Sequence, residues 1–221
     1  MTTRQRGWRL PAALIALSAA PVLAGTARLV ELAGGPALIS SDARFTASPL
    51  SVVVHVTCAA TYALLGAFQF ATRFRRRRPG WHRASGRVLV VAGLGVAGSA
   101  LWMTLFLPPQ PGSGPLLFVL RLIFGPAVIA ALVLGVAAIR RRDIDAHRAW
   151  MTRAYAIALS AGTQVFTQGA GGAIFGHRPL VFDASSGAAW VINLTIAEWA
   201  IRRPSGGMTH RRVLVTVGGE R

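Results

Sequence analysis

Arg75-Arg76-Arg77-Arg78-Pro79-Gly80-Trp81-His82-Arg83-Ala84-Ser85-Gly86-Arg87 and Arg140-Arg141-Arg142-Asp143-Ile144-Asp145-Ala146-His147-Arg148-Ala149-Trp150-Met151-Thr152-Arg153 follow one plan. Each is an arginine cluster, then a His-Arg pair, then a further arginine, set between two long apolar segments. The repetition predicts a membrane-embedded helical hairpin used twice. An even number of crossings separates the copies, so both motifs are expected at the same membrane face.

The apolar segments around these motifs set the class of protein. Hydrophobic residues make up 53% of the 221 positions and charged residues 14%, and the mean hydropathy is +0.49. That balance is a membrane composition rather than that of a soluble domain. A net charge of +17 would point to nucleic acid in a soluble chain. Here the 24 basic residues, all arginine, lie between apolar runs, so no nucleic-acid partner is expected. The single Cys58 leaves no internal disulfide and no cysteine-based metal framework.

A hydrocarbon core of about 30 Å needs roughly 20 apolar residues in a helix. That criterion predicts an all-α polytopic bundle of six transmembrane helices, near 10–32, 49–72, 88–107, 116–139, 150–172 and 185–201, forming one domain over 1–203. Residues 204–221 read as a mobile cytoplasmic tail. Arginines are retained on the cytoplasmic side, and they gather before the first helix, in the second and fourth connections and in the tail. Both termini are therefore expected in the cytoplasm of a bacterial cell, with a multi-pass chain in the cytoplasmic membrane. An alternative takes the first segment as a signal peptide, with Arg4 to Arg9 as its basic region and Val22-Leu23-Ala24 as a cleavage site. Gly95 and Ser99 stand at the small-xxx-small spacing that lets helices approach closely. Gly125-Pro126 is expected to kink or open the fourth helix.

Ionisable groups inside a bilayer are costly and are candidates for function. His55 lies six residues after Pro49, about 9 Å along its helix at about 1.5 Å per residue. Arg121 is its counterpart at an offset of 66 residues. With Gln164 and Gln168 these residues define a candidate polar chamber toward the non-cytoplasmic face, holding a cofactor or an anionic ligand. The alternative there is interhelical hydrogen bonding with a snorkelling Arg121. His82 and His147 admit three readings. They sit at the interface while Arg83, Arg87, Arg148 and Arg153 grip anionic lipid phosphates; or they ligate a b-type haem; or they titrate near neutral pH in proton-coupled transport. Haem could alternatively bind His55 and His177. Glu198 and Arg202, four apart, make a helical ion pair. No metal site, P-loop, dinucleotide fingerprint or hydrolase arrangement is present in the sequence.

Several separated stretches resemble the bacterial DUF2306 family of predicted membrane proteins. They are His55, then Leu65-Gly66-Ala67-Phe68-Gln69-Phe70, Arg75 to Arg78, His82-Arg83 to Gly86-Arg87, His147-Arg148-Ala149-Trp150-Met151 to Arg153-Ala154-Tyr155, and Asn193-Leu194 to Ala197-Glu198-Trp199. The resemblance covers roughly residues 50–203 and implies the six-helix fold without naming a substrate. It also implies an arginine in the outer part of the fifth helix, where this chain has Gln164 and Val165. The helix-borne histidines are loosely similar to those of the cytochrome b561 and ferric reductase class, although the full set of paired intrahelical histidines is missing. Three functions remain open from the sequence: haem-based electron transfer, transport or binding of an anionic or lipid ligand, and a non-catalytic subunit of a membrane partner or homo-oligomer.

Overall fold

The structure, a computed structural model, describes residues 3–40 and 42–203; the tail read over 204–221 lies outside the described residues. The described residues are helical and contain no strand. Six long helices carry the fold: α1 (Thr3–Leu32), α3 (Pro49–Ala67), α5 (Pro79–Phe106), α6 (Pro115–Arg140), α7 (Ile144–Phe175) and α8 (Pro179–Arg202). Two short helices, α2 (Ala43–Ala47) and α4 (Thr72–Arg77), and a 3-10 turn at Phe68–Phe70 lie in the connections.

Helix starts follow local chemistry. Pro49, Pro79, Pro115 and Pro179 occupy the first turns of α3, α5, α6 and α8, where a missing N–H leaves nothing unsatisfied. Asp143 caps α7 by accepting from the Ala146 N–H at 2.9 Å. The chain leaves α1 through Gly34, whose φ of +88° is open to glycine without strain.

These starts correct the expected boundaries. α5 begins at Pro79 rather than 88, α7 spans 144–175 rather than 150–172, and α8 spans 179–202 rather than 185–201. The α-helix expected to reach residue 72 ends at Ala67 and tightens into the 3-10 turn. Each polar His-Arg motif is thus the first turns of a long helix, because Pro79 and the Asp143 cap nucleate helix ahead of the apolar stretch. α6 stays helical through Gly125-Pro126.

Five helices among the described residues are long and apolar enough to cross a membrane: α1 from Trp8, α3 with its 3-10 turn, α5, α6 and α8. α7 is the longest at 32 residues, yet it falls outside that group. Its first turns carry Asp145, His147, Arg148 and Arg153, and its second half carries Thr163, Gln164, Thr167 and Gln168. α7 packs against α8, α6, α1 and α3, so its polarity is matched by burial among helices.

The core runs through Tyr62, Leu89, Ala97, Val128, Leu132, Tyr155 and Leu159. Tyr155 is its keystone. Its O–H donates to the Ala63 carbonyl at 2.7 Å, and its ring lies 5.1 Å from Phe70 and 5.7 Å from Tyr62. Gly66 makes room for that ring, since a Cβ there would stand 2.4 Å from Tyr155 Cε2. Gly95 serves α3 against α5 in the same way, facing Cys58.

Candidate functional site

Polar side chains collect at the two ends of the bundle. The arginine-poor end is built from residues of α3, α5, α6 and α8, packed in the order α3 on α5, α5 on α6 and α6 on α8. His55 Nδ1 lies 3.0 Å from Ser99 Oγ, and Ser99 donates to the Gly95 carbonyl at 2.5 Å. The serine proton is thereby committed to the carbonyl, so the imidazole nitrogen is the donor in that pair. Ser99, one turn beyond Gly95, fixes His55 against α5.

Arg121 projects from α6 at the same end. Its Nη2 donates to Gln110 Oε1 at 2.6 Å, folding the α5–α6 loop over the guanidinium. Coulombic reach connects it to His55 and to Arg44 and Asp183. Asp183, 0% exposed, was not singled out in the sequence. Its carboxylate accepts from the Gly114 N–H at 3.0 and 3.1 Å and from the Leu117 N–H at 3.0 Å, capping α6 from a neighbouring helix. The sequence did hold a signal, because Asp183 is a lone acid within the first turns of an apolar helix.

Gln164 and Gln168 reach toward α8 instead. Gln168 donates to Ser186 Oγ at 2.9 Å, and Gln164 to the Ser186 carbonyl at 3.5 Å. One turn deeper, Thr163 donates to Asn193 Oδ1 at 2.9 Å, and Asn193 donates to the Ala156 carbonyl at 3.0 Å. Of the four residues expected in one chamber, Gln164 and Gln168 both meet Ser186 of α8, while His55 bonds Ser99 and Arg121 bonds Gln110.

The entrance to this end carries more charge. Arg28 pairs with Glu31 and donates to the Ser40 carbonyl at 2.8 Å. Its Nε is buried without a hydrogen-bond partner among the described residues. The Phe45 ring lies between Arg28, 5.0 Å away, and Arg44, 5.2 Å away. Arg44 also grips Asp42 at 2.5 Å, which holds that carboxyl below the ordinary carboxylate range. His177 is exposed in the α7–α8 turn and rests against Gly172.

The arginine-rich end holds both His-Arg motifs. His82 and His147 are each the fourth residue of their helix and lie within Coulombic reach of one another. The two motifs thus share one end of the bundle. His147 Nδ1 contacts the Gly135 carbonyl at 2.8 Å; a carbonyl only accepts, so Nδ1 carries a proton and donates it. His82 Nδ1 is buried without a hydrogen-bond partner among the described residues. Behind His82, Gln69 donates to Ser85 Oγ at 2.6 Å and Ser85 to the Trp81 carbonyl at 2.7 Å, locking the 3-10 turn onto α5.

Of the four arginines expected at lipid phosphates, Arg83, Arg87 and Arg148 are exposed, while Arg153 crosses to α8. Its Nε and Nη2 meet the Glu198 carboxylate at 2.5 and 3.1 Å, and its guanidinium lies 4.7 Å from the Trp150 ring. Glu198 keeps the expected Arg202 at 3.7 Å, but that arginine is 80% exposed. The interhelical bond is the shorter and more sheltered of the two. Sequence spacing favours partners on the same helix, so it points first to Arg202.

Two apolar grooves, of about 510 and 640 Å³, indent the bundle surface. The first lies between α5 and α6 and ends at Arg140 and Arg141; the second runs along α8 to Arg202 and Arg203. Neither is lined by a histidine.

The family model described as a predicted membrane protein, DUF2306, matches residues 52–201. No curated protein matches the chain. No solved structure matches it either.

Proposed function

The chain belongs to the DUF2306 family of predicted membrane proteins, and from that premise we propose that it binds an anionic small molecule at the arginine-poor end, with Arg121 as charge partner and His55 beside it. The observation that carries this reading is the charge inventory around Arg121. A guanidinium offers five N–H donors, and among the described residues Arg121 hydrogen-bonds a neutral amide, Gln110. The carboxylate within Coulombic reach, Asp183, is already held by two backbone N–H groups, and Arg44 adds a like charge. A cation withdrawn from water is stable when a counter-charge and hydrogen bonds meet it. An incoming carboxylate or phosphate supplies both. A transporter and a receptor for such an anion share this requirement.

In this reading α7 is a sixth span, admitted by its packing among the other helices, and the arginine-rich end faces the cytoplasm of a bacterial cell. Single cysteines at Ser113 and at Arg142, in a Cys58→Ala background, are expected to react with a membrane-impermeant maleimide from opposite sides of sealed vesicles. Labelling of both from one side would remove the topology.

The binding reading predicts that carboxylates or phosphates from a screened panel raise the thermal midpoint of the detergent-purified protein. At 100 times the dissociation constant the stabilisation is about 2.7 kcal/mol. Arg121→Gln should abolish that rise while the unliganded midpoint changes little. A rise that survives the substitution overturns the assignment.

A second reading rests on His147, whose Nδ1–H bond to the Gly135 carbonyl is the kind of second bond that orients metal-ligating histidines, with His82 near enough to act on it electrostatically. A reduced-minus-oxidised spectrum after haem-supplemented expression separates the two readings. A sharp α band lost in His147→Ala would establish a cytochrome, and a colourless protein would remove haem.

A further inference from the structure

We propose that the groove between α5 and α6 is a binding site for one anionic phospholipid, with its phosphate at Arg140 and Arg141 and one acyl chain along the apolar walls. This inference stands apart from the anion site, which lies at the other end of the bundle.

The groove has the shape and polarity such a lipid requires. Its walls are Val90 and Leu94 of α5 with Val133 and Val136 of α6, and its charged lining is the two arginines. From Val133 to Arg141 the groove follows α6 for about 12 Å at about 1.5 Å per residue. That depth is close to one leaflet of a hydrocarbon core about 30 Å thick. The occupant is therefore a molecule with an apolar tail one leaflet long and its charge at the interface.

The sign of that charge follows from what surrounds the arginines. Neither Arg140 nor Arg141 has an ion pair among the described residues. The nearest acid in the chain, Asp143, is occupied capping α7. The Ala137, Ala138 and Ile139 carbonyls near the end of α6 are taken as well, by the N–H groups of Arg141, Asp143 and Arg142. Two exposed, unpaired guanidinia at the mouth of an apolar groove form the pattern that basic pockets between membrane helices use for anionic headgroups. Guanidinium matches phosphate through paired donors, which an ammonium cannot do. The α8 groove is less suited, because Glu198 lines it beside its arginines.

The test uses the full chain reconstituted with equal amounts of phosphatidylglycerol and phosphatidylcholine, then released from detergent in native mass spectrometry. The expected result is one phosphatidylglycerol retained per chain under conditions that strip phosphatidylcholine. The double variant Arg140→Gln, Arg141→Gln should lose that retention at least about tenfold, a change of about 1.4 kcal/mol. Val133→Trp places an indole in the groove with both arginines intact, and Val133 is exposed, so the core is untouched. It should lose retention as well. Equal retention of the two lipids by the wild type overturns the proposal. Retention that survives in Val133→Trp also overturns it, because the headgroup would then be held without the groove. Retention that survives in the arginine double variant overturns the charge assignment and the proposal with it.

Discussion

Replacing Gly162 with valine is expected to prise α1 from α7 and to destabilise the protein by about 3 kcal/mol or more, at or beyond the upper range of core overpacking. The reason is a contact between two backbones. A Cβ at Gly162 would stand 2.1 Å from the Leu17 carbonyl oxygen, and no rotamer change relieves a clash with main chain. The approach has a cause in the sequence of α1. Pro21 lies four residues after Leu17 inside that helix and has no N–H to offer its carbonyl. The Leu17 oxygen, without that donor, faces the position a Gly162 side chain would take, the close backbone approach that glycine permits between membrane helices. Denaturation in mixed micelles, followed by circular dichroism, measures the loss. Gly98→Ala is the matched control: a Cβ there meets nothing within 4 Å, so its stability should shift by no more than about 1 kcal/mol, the propensity difference. A Gly162→Val protein as stable as the control would show that α1 does not pack as described.

Asp183→Ala should cost about 3–6 kcal/mol, because it removes a carboxylate accepting from two backbone N–H groups, each such charged hydrogen bond contributing about 1.5–3 kcal/mol. The Leu117 donor would be left buried and the part-buried Gly114 donor uncapped at the start of α6, where the helix dipole also favours a negative charge. Asp183→Asn keeps the shape and one acceptor oxygen, so about half that loss is expected. The asparagine variant carries a second expectation. It removes the carboxylate nearest in charge to Arg121, so any anion held there should bind at least as well as in the wild type, whereas Arg121→Gln should not bind it. Denaturation curves give the first result and thermal shifts with the bound anion give the second.

Much of this architecture is legible in the sequence, and the misses share a cause. Apolar runs and arginine clusters locate the long helices, because the bilayer penalises charge regardless of what the helices pack against. Helix ends are missed where polar residues continue a helix beyond its apolar part, as at Pro79–Gly86 and Ile144–Ala149. There a proline or an aspartate cap, not hydropathy, decides the boundary. α7 shows the complementary limit. Its length is evident, but its polar residues are tolerated through partners on other helices, such as Asn193, Ser186 and Glu198, which spacing along one helix does not reveal. His55 and Arg121 were identifiable because ionisable groups in apolar runs are rare. Asp183 was passed over because its role depends on the α5–α6 loop returning to α8.

The most direct test of anion binding at Arg121 is anomalous diffraction from crystals grown with bromide. Bromide carries the charge of the proposed ligand and can be located without knowing its identity. The account predicts an anomalous peak against the Arg121 guanidinium, on the side facing His55, that disappears in Arg121→Gln crystals. No peak at that position, with the guanidinium turned outward to the headgroup layer, would contradict it and make Arg121 a snorkelling interface residue.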